Sequence, residues 1–236
     1  MRALTLALDA LPSLRDATAA GDVDVAAAAA LAELAGVDAV RLSVNDDLKP
    51  VREEDVREAR RAARRLELRM PPSPSLLKVA LEARPDVVVL AGEGRDGRSP
   101  SRPLDLKGRG TSLAPVVRGL AEAGIPVTAV VAPDLDSVKR VHAEGLAGVE
   151  LFTGTIVDLP AAERSREFEQ LGDAVRLAAK LRMVVGVGGG LGYRTLPELI
   201  RAAPAAERVV VGRAALARAV LVGLDRALRD LRELLG

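Results

Sequence analysis

The residues best suited to chemistry in this sequence are glycines that stand close together near residue 190. Gly186, Gly188, Gly189 and Gly190 fall within five positions, directly after an apolar run. Glycine opens the backbone N–H groups to close approach by an anion, and the start of a following helix adds partial positive charge. The segment therefore favours phosphate binding, although the same glycines could simply allow a tight turn.

A second segment, VVVGRAALARAV, supports the same interpretation. It places Gly212 directly before Arg213, whose planar and permanently charged guanidinium suits phosphate oxygens. The alternative is that Arg213 lies on a solvated surface. The predicted phosphate-binding residues are Gly188, Gly190, Gly212 and Arg213. No side chain among the clustered glycines can transfer a proton.

Composition excludes several classes of site and partner. Cysteine is absent and histidine occurs once, as His142, which excludes disulfides, a thiol nucleophile and a multi-histidine metal site. The formal net charge is +1 and aromatic residues make up 1% of the chain, which argues against nucleic-acid binding. No apolar run approaches the roughly 20 residues that cross a bilayer. We expect a cytoplasmic protein with no metal, no cofactor, and no nucleic-acid or membrane partner.

Short β-branched or leucine-rich runs alternate with alanine-rich amphipathic stretches along the chain. The predicted strands are residues 4–8, 39–44, 66–70, 87–91, 127–131, 148–152, 183–187 and 209–211. The predicted helices are residues 23–35, 53–65, 75–83, 113–123, 135–143, 162–179, 195–202 and 216–235. Eight such units predict an α/β fold, a single (β/α)8 TIM barrel domain over residues 1–236.

The position of the glycines favours a barrel over an open doubly wound sheet, whose glycine-rich turn follows the first strand. Here the first strand leads into Asp9, and the glycines follow the seventh strand. Barrel sites lie at the carboxyl ends of the strands, and phosphate commonly binds between the loops after strands seven and eight. A long loop at about 92–111, which contains Glu93 and Arg95, is predicted to lie on the same side as a lid.

Five segments, in this order and spacing, carry a resemblance to a known family. They are LALDALPSLRDA, GVDAVRLSVNDDLKPVREEDVR, GVELFTG, GVGGGLGY and VGRAALARAVLVGL. The sequence resembles the pyridoxine 5'-phosphate synthases over nearly its whole length. Those (β/α)8 enzymes close the vitamin B6 ring from 1-deoxyxylulose 5-phosphate and 3-amino-2-oxopropyl phosphate. The resemblance implies a phosphorylated small-molecule ligand and assembly into a homo-oligomer.

The positions that the resemblance assigns to phosphate and transition-state contacts are largely kept. It implies that Gly190 and Gly212 contact the aminoketone phosphate, and that Arg213 replaces a histidine in the same contact. Asp9 matches the family, and Glu150 matches a residue that stabilises the transition state. The phosphate side of the family site is therefore expected to persist.

The positions that the resemblance assigns to proton transfer are substituted. Ser43 stands where the family has a catalytic histidine, Arg69 where it has a glutamate base, and Gly189 where a histidine donates a proton. Asn45 replaces an arginine that binds the deoxyxylulose phosphate. One positioned acid or base contributes typically 10²–10⁴-fold, and a guanidinium stays protonated in proteins. Because a charge inside a barrel is costly unless paired, we expect Arg69 to meet Glu150 or a ligand anion.

Three hypotheses about function follow. The first is a family member, a pseudoenzyme or a weakened enzyme, that binds a phosphorylated metabolite, with the synthase reaction weakened or lost. The second is an active synthase that has rebuilt its acid/base set from Glu150, Asp9, Ser43 and water. The third is a non-catalytic scaffold or interaction protein that retains only the fold.

Overall fold

The computed structural model describes residues 2–93, 102–106 and 113–236. Its strands form a closed parallel barrel, in which each strand pairs with the next along the chain and the last pairs with the first. The strands are β1 (Ala3–Ala7), β2 (Ala39–Ser43), β3 (Leu66–Met70), β4 (Val87–Leu90), β5 (Val127–Val131), β6 (Gly148–Phe152), β7 (Val184–Gly188) and β8 (Arg208–Val211). The predicted (β/α)8 barrel is confirmed.

Helices connect successive strands around the outside of the barrel. They are α1 (Ala10–Thr18), α2 (Val25–Leu34), α3 (Glu53–Ala62), α4 (Pro74–Ala83), α5 (Ala114–Glu122), α6 (Leu135–Ala143), α7 (Ala161–Lys180), α8 (Leu196–Ala202), α9 (Arg213–Val222) and α10 (Leu224–Leu235). Among the residues described, no helix combines the length and the apolar character needed to cross a bilayer.

Two regions differ from the sequence-based prediction. No helix was expected directly after the first strand, yet residues 10–18 form α1; Pro12 lies in its first turn, where its missing N–H breaks no helical hydrogen bond. The single predicted helix over residues 216–235 was wrong. It is two helices separated by Gly223, whose φ of +83° is a conformation that glycine adopts readily.

Alternation along each strand separates an outer core from the barrel interior. Leu4 and Leu6 of β1 are buried in the main hydrophobic core, whereas Thr5 between them donates a hydrogen bond to Glu67 of β3. The leucines of β1 therefore pack under the helices. The intervening positions are left to fill the barrel.

The barrel interior has an apolar side and a polar side. Val87, Val89 and Ala91 on and just beyond β4 cluster with Val130 of β5, and Phe152 packs against them. The polar side carries buried side chains from β1, β2, β3 and β6. These are Thr5, Arg41, Ser43, Glu67, Arg69 and Glu150.

The loop predicted at about 92–111 is described only in part. Gly92 and Arg102 form an isolated antiparallel bridge, and the N–H of Leu104 donates to the carbonyl of Val130, with N and O 2.7 Å apart. Residues 102–104 thus return toward β5. Arg95 lies outside the described residues, and the lid function stays a prediction.

Candidate functional site

The loop after β7 makes a sharp turn that only glycine fits. Gly189 and Gly190 have φ angles of +112° and +71°, in the left-handed region that L side chains rarely adopt. A Cβ atom at Gly188 would lie 2.8 Å from Oε1 of Glu150, and one at Gly190 would lie 2.7 Å from Cγ2 of Val157. The glycines are therefore required for the turn, which is the simpler of the two interpretations of this segment.

The same turn leaves backbone donors available. Within the described part of the chain, the N–H groups of Gly190 and Gly212 donate no hydrogen bond. The loops after β7 and β8 touch, because a Cβ atom at Gly192 would lie 2.8 Å from the Cβ of Ala214. Two neighbouring loops thus present unused backbone donors, as an anion-binding site requires.

Arg213 is the first residue of α9 and its side chain is exposed. Among the described residues it makes neither a hydrogen bond nor an ion pair. Gly212 fits closely in front of it, since a Cβ atom there would lie 3.1 Å from both the Cβ and the carbonyl oxygen of Ala7. The guanidinium is therefore free to reach an anion held by the two loops.

The ring of Phe152 covers Gly189. A Cβ atom at Gly189 would lie 2.7 Å from Cε2 of that ring and 2.9 Å from the backbone nitrogen of Gly154. Thr153 fixes the turn from the same side, because its N–H donates to the carbonyl of Gly188 at 2.8 Å and its hydroxyl to that of Gly189 at 2.6 Å. No larger side chain can occupy position 189 while this arrangement holds.

Asp9, Ser43 and Arg69 form a chain of hydrogen bonds at the carboxyl ends of β1, β2 and β3. The carboxylate of Asp9 accepts from the N–H of Ser43 at 2.7 Å and from its hydroxyl at 2.9 Å. The Nε of Arg69 donates to the Ser43 hydroxyl oxygen at 3.0 Å. These three predicted site residues are therefore brought together.

Of the two partners expected for Arg69, Glu150 or a ligand anion, Glu150 does not pair with it directly, and the ligand anion stays a prediction. The carboxylate nearest to Arg69 belongs to Asp9, with Nη2 and Oδ2 3.6 Å apart, while Glu150 is held by Arg41. Burial lowers the pKa of Arg69, Asp9 opposes this change, and the positive charges of Arg41 and Arg213 add to it. Arg69 remains a cation, because its ordinary pKa lies far above neutrality.

Glu150 lies deeper in the barrel than the hydrogen-bonded series Asp9–Ser43–Arg69, and it is held by Arg41, which is fully buried. The Nη1 of Arg41 donates to Oε1 of Glu150 at 3.0 Å, and Nη2 donates to Oε2 at 2.6 Å. Arg41 also donates to Glu67 from Nε at 3.0 Å and from Nη2 at 2.7 Å. Glu67 in turn pairs with Arg208 at 2.9 Å, so two arginines and two glutamates balance in charge.

This network sets the protonation state of Glu150. Burial on its own would raise the pKa of Glu150, but the charge and hydrogen bonds of Arg41 lower it below its ordinary value. Burial likewise tends to lower the pKa of Arg41, and Glu150 and Glu67 together raise it. Both oxygens of Glu150 are occupied and the carboxyl stays ionised, so it is a poor acid or base.

Comparison with known proteins identifies the family. The family model described as "Pyridoxal phosphate biosynthesis protein PdxJ" matches residues 4–236. The chain belongs to the PdxJ family. It is 34% identical over 237 residues to pyridoxine 5'-phosphate synthase of Desulforapulum autotrophicum, and 35% identical over 238 residues to that of a Synechococcus strain. Each match covers 100% of this chain and 99% of the relative.

Solved structures support the fold alone. The alpha subunit of tryptophan synthase from Legionella pneumophila superposes with a TM-score of 0.63 at 14% sequence identity. The match covers 99% of this chain and 92% of that one. A likeness at this level of identity concerns the barrel and not its chemistry.

The other predicted residues lie apart from the hydrogen-bonded chain. Asn45 follows β2 in the PdxJ-family barrel and its side-chain amide donates to the carbonyl of Lys49 at 3.0 Å. His142, the only histidine, is exposed in the last turn of α6. His142 makes no hydrogen bond with Ser43, Arg69 or Glu150 in the described part of the chain.

Sequence reasoning missed Arg41, Glu67 and Arg208, which hold Glu150 in place. The signal was present in the strand period, because Arg41 lies two residues before Ser43 and Glu67 two residues before Arg69. Alternate residues of a strand share a face, so Arg41 and Glu67 each point into the barrel beside a residue that was predicted.

Proposed function

We propose that this PdxJ-family chain binds a phosphorylated small metabolite between the loops after β7 and β8. One observation carries the proposal: the loops that hold the unused N–H groups of Gly190 and Gly212 touch at Gly192 and Ala214, next to Arg213, whose guanidinium has no partner among the described residues. Gly188 allows the first loop its close packing on the barrel. Pyridoxine 5'-phosphate synthase, the name of the relatives, refers to a phosphorylated product, which agrees with a phosphate site.

The ring-closing condensation of the family is weakened or lost in this proposal. The positions where the resemblance implies two histidines and a glutamate base are Ser43, Arg69 and Gly189. Glu150 cannot compensate easily, since Arg41 holds both of its oxygens. Asp9 is likewise occupied by Ser43. With three acid/base groups each worth typically 10²–10⁴-fold, the reaction would lose many orders of magnitude.

Two assays test the two parts separately. The purified protein is supplied with 1-deoxyxylulose 5-phosphate and 3-amino-2-oxopropyl phosphate, and pyridoxine 5'-phosphate is measured; we expect none above the uncatalysed background. Turnover that disappears in Glu150→Gln would contradict the loss of chemistry and establish a rebuilt synthase.

Phosphate binding is measured by calorimetry with glycerol 3-phosphate. Arg213→Ala should weaken binding about tenfold or more, because a hydrogen bond to a charged group is worth about 1.5–3 kcal/mol. The matched control is Arg118→Ala, an exposed arginine of α5 on the outside of the barrel. If the wild type binds no phosphate ester, a scaffold that retains only the fold becomes the better account.

Self-association is a further part of the proposal. It rests on family resemblance and on the end of α9, where Val220 and Leu221 are 83% and 82% exposed. Exposed neighbouring apolar side chains of this size are typical of a contact surface. The chain is therefore expected to form a homo-oligomer.

A further inference from the structure

Arg69 keeps hydrogen-bonding capacity that the protein itself does not use. Its Nε donates to Ser43, but among the described residues neither Nη atom donates a hydrogen bond. The side chain is 11% exposed, and its unbonded nitrogens are not among the fully buried polar atoms. The outer edge of the guanidinium thus faces the open mouth of the barrel.

The two carboxylates near Arg69 are held by other donors. Asp9 accepts from the N–H and hydroxyl of Ser43, and its distance of 3.6 Å from Nη2 of Arg69 exceeds a hydrogen bond. Glu150 accepts from Arg41 at both oxygens. Within residues 2–93, 102–106 and 113–236, Arg69 therefore has charged neighbours but no acceptor for its outer N–H groups.

Among the described residues, the adjoining wall of the barrel, formed by β4 and β5, places apolar side chains beside Arg69. Arg69 pairs in register with Val89 of β4, which is fully buried, and Val89 clusters with Val130. Phe152 extends this apolar wall toward the glycine loop. An apolar wall beside a guanidinium strengthens the attraction of an incoming anion, because little water remains to screen it.

A second cation stands across the same mouth. Arg213 is close enough to Arg69 to contribute to the lowering of the Arg69 pKa. Two positive charges that disfavour each other are both relieved when anions bind between them. The phosphate loops account for one such anion, at Arg213.

We propose that the ligand is a phosphorylated carboxylic acid, whose carboxylate accepts two hydrogen bonds from the Nη atoms of Arg69. The proposal rests on the proposed phosphate site, since it adds a second contact to the same ligand. A planar guanidinium edge matches a carboxylate in geometry and charge, which a neutral hydroxyl does not.

Two probes that differ in one group test this assignment. D-3-Phosphoglycerate and D-glycerol 3-phosphate share the phosphate and the configuration at C2, and the first has a carboxylate where the second has CH₂OH. Their dissociation constants are measured by calorimetry for the wild type, Arg69→Gln, Arg69→Lys and Arg213→Ala. Inorganic phosphate serves as the third probe, and thermal unfolding checks that each variant is folded.

The wild type should bind 3-phosphoglycerate about tenfold to a hundredfold more tightly than glycerol 3-phosphate. Arg69→Gln should remove that preference and leave the affinity for glycerol 3-phosphate nearly unchanged. Arg69→Lys should keep part of the preference for 3-phosphoglycerate, because lysine retains the positive charge but lacks the two parallel N–H groups of the guanidinium. Arg213→Ala should weaken both organic probes together and preserve their ratio.

The possible failures are distinguishable. Equal wild-type affinities for the two organic probes overturn the carboxylate contact and leave the phosphate site standing. A preference that persists in Arg69→Gln overturns the role of Arg69. Failure of all three probes to bind the wild type overturns the phosphate site and this inference with it. The wild-type ratio decides the matter even if a variant of Arg69 does not fold.

Discussion

Replacement of Arg41 by methionine should destabilise the protein strongly, in a way that depends on pH. Arg41 makes four hydrogen bonds, two to Glu67 and two to Glu150. Glu67 keeps Arg208 and Thr5 as partners in the variant, whereas Glu150 keeps no hydrogen-bond donor among the described residues and only the more distant charges of Arg69 and Arg208. Methionine fills most of the same volume, so the main change is one unpaired carboxylate inside the barrel.

The magnitude follows from the carboxylate. A buried Glu150 that has lost Arg41 can become neutral by taking up a proton. At pH 7, with an ordinary pKa of 4.5, this costs about 3.4 kcal/mol at 1.36 kcal/mol per unit. Removal of one partner of a buried pair typically costs 3–5 kcal/mol, in agreement. For a domain of this size the melting temperature should fall by about 6–20 °C.

The sign of the pH dependence differs between the two proteins. In the wild type the pKa of Glu150 is lowered, so its pairing stabilises the fold above pH 4.5, and the contribution is lost as pH falls further. In Arg41→Met the pKa of Glu150 should rise, because burial, the largest influence on it, is then opposed only by the weaker attraction of Arg69 and Arg208. The loss of stability caused by burying Glu150 without Arg41 is then small near pH 4.5 and grows as pH rises toward 7.

Urea unfolding followed by circular dichroism at pH 5, 6 and 7 measures both effects. Arg41→Met combined with Glu150→Gln should recover much of the lost stability, because the buried charge is gone. The matched control is Arg229→Met, whose partner Asp225 is exposed; its unfolding midpoint should not move. A loss under about 1 kcal/mol, or a loss that is equal at pH 5 and pH 7, would refute the reasoning.

Two further predictions concern the loop after β7 and the surface of α9. Gly189→Ala should lower the free energy of unfolding by about 1–3 kcal/mol, because a residue in the left-handed conformation gains a Cβ atom against the ring of Phe152. Thermal melts measure the loss. The control is Gly21→Ala, whose new Cβ atom meets nothing within 4 Å. An equal effect of the two would count against the clash. Light scattering should give a multiple of the 24.7 kDa chain mass, reduced by Val220→Asp with Leu221→Asp; a monomeric wild type would end the self-association proposal.

The barrel and the position of the glycine loops could be predicted from the sequence, because both depend on local patterns. Strands of β-branched residues alternate with helices, and the loop at Gly189 follows the seventh of them. Arg69 could be placed inside the barrel from the period of β3. The partner of Arg69 could not be predicted, because whether Arg69 pairs with Asp9 or with Glu150 depends on which of the two carboxylates is already held by Arg41.

What the sequence could not show is pairing across the barrel. Arg41 and Glu150 stand 109 residues apart, and Arg41 appears in the sequence as one charge within a short strand. The break at Gly223 was missed for a different reason. A single glycine inside a helical pattern is tolerated often enough that only its φ angle reveals the end of α9.

The ring of Phe152 over Gly189 constrains the order in which this barrel could change over time. A histidine, which the family resemblance implies at position 189, meets both the ring and the backbone of Gly154. Such a replacement is harmful until Phe152 has become smaller or has turned away. A glutamate introduced at position 69 would similarly stand beside Asp9, with like charges opposed. Each of these two replacements therefore needs a second, compensating change nearby before the protein can accommodate it.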